Sequence, residues 1–376
     1  MLFGEKEYSS IFKGSKKRYI FACSKKGFEK LKSIIMKRVL SFIVATLICL
    51  ACLGGKNYNE STGSESKKIV LAYVTSWSSV IPDPTYITHI NYAFGHVTDQ
   101  FNGVRIDNEE RLNQIIALRN QKPDLKVLLS IGGWGSGRFS EMAADDSYRE
   151  SFAADCQRVV KEFNLDGIDI DWEYPTNTGG GISASPADYD NYTYLMRDIR
   201  AAIGPDKLLT HATSAGAKYY DFKALDQYLD FTNIMAYDMG MPPYHHSPLY
   251  SSKLSNGLTS DIAVNLHLEA GVPKHKLVLG VPFYGKANRG FKRPADMLRA
   301  FEMEGYYYHW DDSAKVPYLS DAEGTLVYGY ENLESLYIKC RYIIERDLLG
   351  VMYWSYDGDN EAGDMRKIVY TTLNKE

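Results

Sequence analysis

The sequence predicts an α/β protein folded as a (β/α)8 TIM barrel with a small insertion between strand seven and helix seven. Three observations lead there. Eight short runs are apolar almost throughout, as in KIVLAYVTSW (68–77) and KLVLGVPFYG (276–285), which marks strands covered on both faces and paired in parallel. Longer helix-like segments separate these runs, and eight such units close a barrel. An open doubly wound sheet would need a glycine-rich phosphate turn after the first strand, and Tyr73-Val-Thr-Ser-Trp77 supplies none.

In chain order, the first segment to account for is residues 1–35, basic and without clear amphipathic period, read as an upstream extension from a mis-assigned start codon. From Met36 the sequence MKRVLSFIVATLICLAC sets two positive charges before an apolar run too short to cross a hydrocarbon core of roughly 30 Å. Residues 36–51 therefore read as a signal peptide. Its Leu50-Ala51-Cys52 end resembles a bacterial lipoprotein signal and makes Cys52 the lipid-attachment candidate, although Cys49 stands where an aliphatic residue is usual. The polar stretch 52–67 reads as a flexible tether. The expectation is an exported, membrane-anchored lipoprotein at the cell surface or in the periplasm.

The catalytic domain is expected over 68–376. Its strands are read at 68–77, 87–97, 126–134, 165–175, 207–215, 231–239, 276–285 and 350–357. Helices are read at 108–121, 147–163, 186–203, 221–229, 260–270, 333–346 and 363–374. Ser147 with Glu150 spells a capping box, and Ser185-Pro186 sets a cap before a proline at the first helical position. Between strand seven and Asn332 the spacing stretches into an insertion at about 287–331, with a helix-like piece at 295–304 and then the Tyr-rich YYYHWDDSAKVPYL (306–319).

Composition narrows the function. At 376 residues and 45% hydrophobic, the chain is neither disordered nor a disulfide-stapled miniprotein. Residues 1–51 carry 11 Lys/Arg against 3 Glu, which leaves 32 basic and 44 acidic residues after them, a net of −12 that argues against nucleic acid as a partner. Beyond the tether only Cys156 and Cys340 remain, in separate helices, with no zinc-like spacing. His245-His246 are adjacent and read as a loop or packed pair, so no metal is expected.

The sharpest feature is Asp166-Gly-Ile-Asp169-Ile-Asp171-Trp-Glu173-Tyr-Pro175. Strand alternation puts Asp169, Asp171 and Glu173 on one face and Ile168, Ile170 and Trp172 on the other. Three carboxylates inside a barrel cannot all ionise, so one should hold a proton near neutral pH. Glu173 lies nearest the carboxyl end, where barrel enzymes place their chemistry, and is the candidate general acid. Asp171, on the same strand and side, is awkwardly placed as a nucleophile for glycoside cleavage, which favours a substrate that brings its own.

DGIDIDWEYP resembles the DxxDxDxE signature of family 18 glycoside hydrolases, the chitinases and related endo-N-acetylglucosaminidases. Ser130-Ile-Gly-Gly-Trp134, Met235-Ala-Tyr237-Asp238 and Gly280-Val-Pro-Phe-Tyr284-Gly285 resemble further motifs of that family, so the likeness runs from about residue 68 to the carboxyl terminus. The resemblance implies hydrolysis of β-1,4-linked N-acetylglucosamine polymers with retention and substrate assistance. It implies Glu173 as acid/base, Asp171 hydrogen-bonded to Asp169 and orienting the acetamido group, and Tyr237 holding that group. Trp354 would floor the subsite, with Asp238, Tyr284 and Met235 lining it. Tyr73, Phe94 and Trp134, with Trp77, Tyr244, Tyr250 and Trp310, are candidate groove aromatics.

No cofactor is implied, and a monomer is expected. Lys286 stands where many chitinase-type sequences have Arg, and the insertion is shorter than the full domain walling deep-cleft members, which favours random internal cuts. The rival readings are an endo-β-N-acetylglucosaminidase acting on the chitobiose core of N-glycans, a peptidoglycan hydrolase, and a lectin that keeps the groove without catalysis.

Overall fold

The computed structural model of the chain describes residues 67–287 and 305–374. The upstream stretch, the signal segment, Cys52, the tether up to residue 66 and the helix-like piece 295–304 lie outside the described residues.

Eight parallel strands close into a ring: β1 (Ile69–Thr75), β2 (His89–Val97), β4 (Lys126–Gly132), β5 (Gly167–Asp171), β6 (Leu208–Ser214), β7 (Phe231–Met235), β8 (Leu277–Pro282) and β13 (Gly350–Trp354). Closure is made by β1, which pairs with β2 in the register Leu71 opposite His89 and with β13 in the register Ile69 opposite Gly350. A short β3 (Val104–Ile106) turns back antiparallel on the end of β2. Alternation sorts the side chains into two layers. Val70, Ile168, Ile170 and Trp172 face the helices, while Leu71, Tyr73, Phe94, Met235 and Met352 fill the barrel interior. Trp172 is fully buried and stacks on Phe139 at 5.3 Å, so its truncation to alanine should cost about 3–5 kcal/mol.

The helices follow the expected order with adjusted ends. The helix at Asp146–Glu162 is capped by Asp145, whose side chain accepts from the Ser147 and Tyr148 amides, so Ser147 lies inside the helix and the Ser147/Glu150 capping box does not form. A carboxylate two residues upstream of Ser147 offers a stronger acceptor to the exposed helix N–H groups. Ser185 does initiate a turn, its Oγ accepting from Ala187 N at 3.2 Å, but the helix proper runs Asp188–Ile203. Cys156 and Cys340 are buried free thiols.

Within the insertion, β9 (Lys286–Ala287), β10 (Tyr307–Asp311), β11 (Val316–Ser320) and β12 (Leu326–Gly329) form an antiparallel sheet in the order β10-β11-β12-β9. Its aromatic and β-branched residues suit strands. Asp311 sets the β10–β11 turn by accepting from the amides of Ser313 and Ala314, both at 3.0 Å, with Lys315 in the left-handed region at φ 57°.

Candidate active site

The acidic strand lies as its alternation dictates. Asp169 and Asp171 are buried inside the barrel, and Glu173 follows just beyond the end of β5, partly open to the cleft. Gly132 and Gly133 bring β4 against this strand: Gly133 N donates to Asp171 O at 2.8 Å, and a Cβ on Gly132, whose φ is +132°, would sit 2.1 Å from that same oxygen. The close approach requires glycine.

Side chains from four other strands, β1, β4, β6 and β7, reach across the barrel to hold Asp169. Its carboxylate accepts from Tyr73 Oη at 2.9 Å, Ser130 Oγ at 2.8 Å, Thr210 Oγ1 at 2.5 Å and Asn233 Nδ2 at 3.2 Å. Burial raises its pKa, and these donors pull part of the way back. The expected Asp169–Asp171 hydrogen bond is absent: Asp169 is saturated by its donors, and Asp171 Oδ1 is buried without a partner. The two acids interact through charge instead. Burial, then Glu173, then Asp169 push the Asp171 carboxyl well above the ordinary range. For Glu173, burial with a further push from Asp238 outweighs a hydrogen bond with Tyr174 and brings it to about 7. A carboxyl poised there can give a proton and take one back at neutral pH.

Around this pair opens a cleft of about 770 Å³. Trp354 forms its floor, near-parallel to Phe94 at 5.6 Å, with Tyr73 at 5.7 Å and Trp77 at 6.4 Å. Trp77 and Trp134 stand at the rim, 65% and 66% exposed. Tyr237, past the end of β7, reaches Met352 Sδ through its hydroxyl at 3.8 Å, and burial together with Asp171 and Glu173 keeps that hydroxyl protonated. Asp238 accepts from Tyr284 Oη at 2.6 Å and pairs with Lys286 Nζ at 2.8 Å, with His246 Nδ1 at 3.6 Å. Burial works against ionisation of Asp238, but His246, Lys286 and Tyr284 outweigh it and hold the carboxyl low.

Glu173, Asp171, Tyr237, Trp354, Asp238, Tyr284, Met235, Trp134, Tyr73 and Phe94 thus meet in one cleft, while Asp169 lies behind it. Tyr244, Tyr250 and Trp310 do not line it. Tyr250 instead packs on Tyr342 at 6.1 Å. Sequence reasoning missed Tyr174, Lys218, Tyr219, Met239 and Leu258. Tyr174 stacks on Tyr219 at 5.1 Å, and its only sequence signal was its place next to Glu173. Among the described residues no cluster of His, Cys, Asp or Glu could hold a metal ion.

A proton-bearing carboxyl beside a second buried one, over an aromatic floor at the carboxyl end of a barrel, defines a sugar-cleaving hydrolase. The sequence model of "Glycosyl hydrolases family 18" matches residues 69–359, and the chain belongs to that family. Chitinase A1 of Niallia circulans is 31% identical, over 81% of this chain and 58% of its own length, so the chain spans less than two thirds of that relative. The endochitinase of Manduca sexta is 30% identical over 85% of this chain and 68% of its own. Among solved structures, the family 18 N-acetylglucosaminidase of Paenibacillus barengoltzii is 33% identical, covers 81% of this chain and 100% of its own, and superposes with a TM-score of 0.75.

Proposed function

We propose that this chain hydrolyses β-1,4-linked N-acetylglucosamine polymers with retention, using the substrate's own acetamido group as nucleophile. The observation that carries the reading is Glu173 at about 7, two residues beyond the end of β5 and the buried Asp171, whose Oδ1 has no hydrogen-bond partner. Asp238, the one other acid among the described cleft-lining residues, is engaged by Tyr284 and Lys286 and so unsuited to attack an anomeric carbon. The chitinases named above support the substrate class.

In this reading Glu173 protonates the glycosidic oxygen while the acetamido oxygen attacks the anomeric carbon, and the aglycone leaves as an alcohol. Asp171 accepts the amide N–H and stabilises the positive charge of the cyclised intermediate. Tyr237 donates to the acetamido oxygen, and Trp354 supports the ring from below. Water, deprotonated by Glu173, then opens the intermediate with the β configuration retained. Turnover of a fluorogenic chitobiose glycoside should fall by at least about 10³-fold in Glu173→Gln, consistent with loss of an acid/base. Equal rates, or the α-anomer as first product, would overturn the assignment.

The shorter insertion favours internal cuts, and mainly disaccharide from the earliest turnovers would contradict that. Release of an intact glycan from a high-mannose glycoprotein, with N-acetylglucosamine oligomers untouched, would transfer the same chemistry to N-glycan cleavage. The proposal also includes export and lipid attachment at Cys52. Cys52→Ala should move the protein from the membrane to the soluble fraction, and an unchanged partition would exclude the anchor.

A further inference from the structure

Beneath the Tyr237–Asp238 turn lies a buried ion pair that the chemistry above does not use. Lys339, on the helix Leu333–Glu345, and Glu331, just before it, have side chains that are 0% exposed and bonded to each other. Lys339 Nζ also donates to Ser247 O at 2.6 Å and to Ser247 Oγ at 2.8 Å. Ser247 Oγ in turn donates to Ala236 O at 3.2 Å, the carbonyl directly before Tyr237. The strap holding Ser247 is fixed to the same turn a second time, by Met239 N donating to His246 O at 3.0 Å. His245 Nε2 ties its outer side to Asp311 of β10 at 3.0 Å.

We infer that Lys339, set by Glu331, is a positioning residue that fixes the backbone of Tyr237 and Asp238 through Ser247. The inference rests on the proposed role of Tyr237. A purely hydrophobic pair of similar volume would pack here without the cost of desolvating two charges. What it could not supply is an ammonium with three donors, two of which meet Ser247 and one Glu331. The arrangement crosses from the helix Leu333–Glu345 to the end of β7, so the region following the insertion sheet sets the geometry of the cleft.

The test compares wild type, Lys339→Met/Glu331→Leu and Ser247→Ala. The double variant removes both charges together and so leaves no unpaired buried ion. Two readouts are taken: hydrogen exchange of peptide 236–249 without substrate, and kcat and KM on a chitobiose glycoside. Faster exchange in that peptide, with kcat down by on the order of 10- to 100-fold and KM within about 2-fold, is expected for a displaced turn. Ser247→Ala keeps the ion pair and should show the same pattern, more weakly. Wild-type exchange with wild-type kcat in either soluble variant overturns the inference, as does a change in one readout without the other. A wild-type enzyme inactive on every N-acetylglucosamine glycoside would instead sink the proposed function, while the exchange result would still judge the strap.

Discussion

Glu173→Gln should make the protein more stable as it becomes inactive, and the gain should depend on pH in a defined way. Shifting a carboxyl from its ordinary 4.5 to about 7 corresponds to about 3 kcal/mol, at about 1.4 kcal/mol per tenfold change in proton affinity. The folded-state value is raised, so the favourable contribution is complete below pH 4.5 and is lost as the pH rises to about 7. Above that, wild type carries a buried negative charge beside Asp171 that the neutral glutamine lacks. The two proteins should melt together at pH 4.5, diverge through pH 7 and stay a constant interval apart above it. With roughly 2 cal/mol/K of unfolding entropy per residue over about 300 residues, 3 kcal/mol corresponds to a melting-temperature difference of about 5 °C. Melts followed by circular dichroism from pH 4.5 to 8.5 would read it. Parallel curves, or a wild type that gains on the variant above pH 7, would refute the raised carboxyl.

Three further outcomes follow from the site. The alkaline limb of kcat/KM should lie near pH 7, and Asp238→Asn should move it lower, because the Asp238 charge is one of the pushes on Glu173; a limb unmoved or raised counts against that coupling. Thr210→Val removes the 2.5 Å donor to buried Asp169 and should cost about 1–3 kcal/mol, read from the urea midpoint at pH 7, with a wild-type midpoint as the contrary result. Gly133→Ala places a Cβ 2.6 Å from the Phe94 ring at a φ of +92°, so Phe94 must move off Trp354; KM should rise by about 10-fold with the fold intact, and an unchanged KM would show that the stacked floor does not bear on substrate.

The barrel and its acidic strand were legible because both are written in local periodicity. Nearly continuous apolar runs report strands covered on two faces, and the alternation of Asp169, Asp171 and Glu173 with Ile168, Ile170 and Trp172 reports which side of β5 is inward. The shell around Asp169 was not legible. Tyr73, Ser130, Thr210 and Asn233 come from β1, β4, β6 and β7, and nothing in their own segments marks them as donors to a residue up to 96 positions away. Saturation of Asp169 by those four also explains why its expected bond to Asp171 does not form. Local competition misled the reading of one helix start, where Asp145 caps the helix two residues earlier, through the Ser147 and Tyr148 amides, and leaves Ser147 in the first turn. The insertion sheet was hidden by its aromatic run, since YYYHW alternates no more clearly than a loop would, and only pairing with β11 gives it a face.

The ring is closed by β1 and β13, with Lys68 Nζ reaching Leu348 O at 2.7 Å and Asn374 Nδ2 reaching Lys68 O at 3.0 Å. Glu173 is therefore synthesised well before the strand that seals the ring and carries Trp354. A nascent chain can pair β1 with β2 at once but waits for about 280 residues for β13, its second partner, which is the non-local pairing that makes barrels slow to fold. The same order means that the cleft is completed only when the ring closes, so no intermediate of synthesis shorter than Trp354 holds Glu173 together with its aromatic floor.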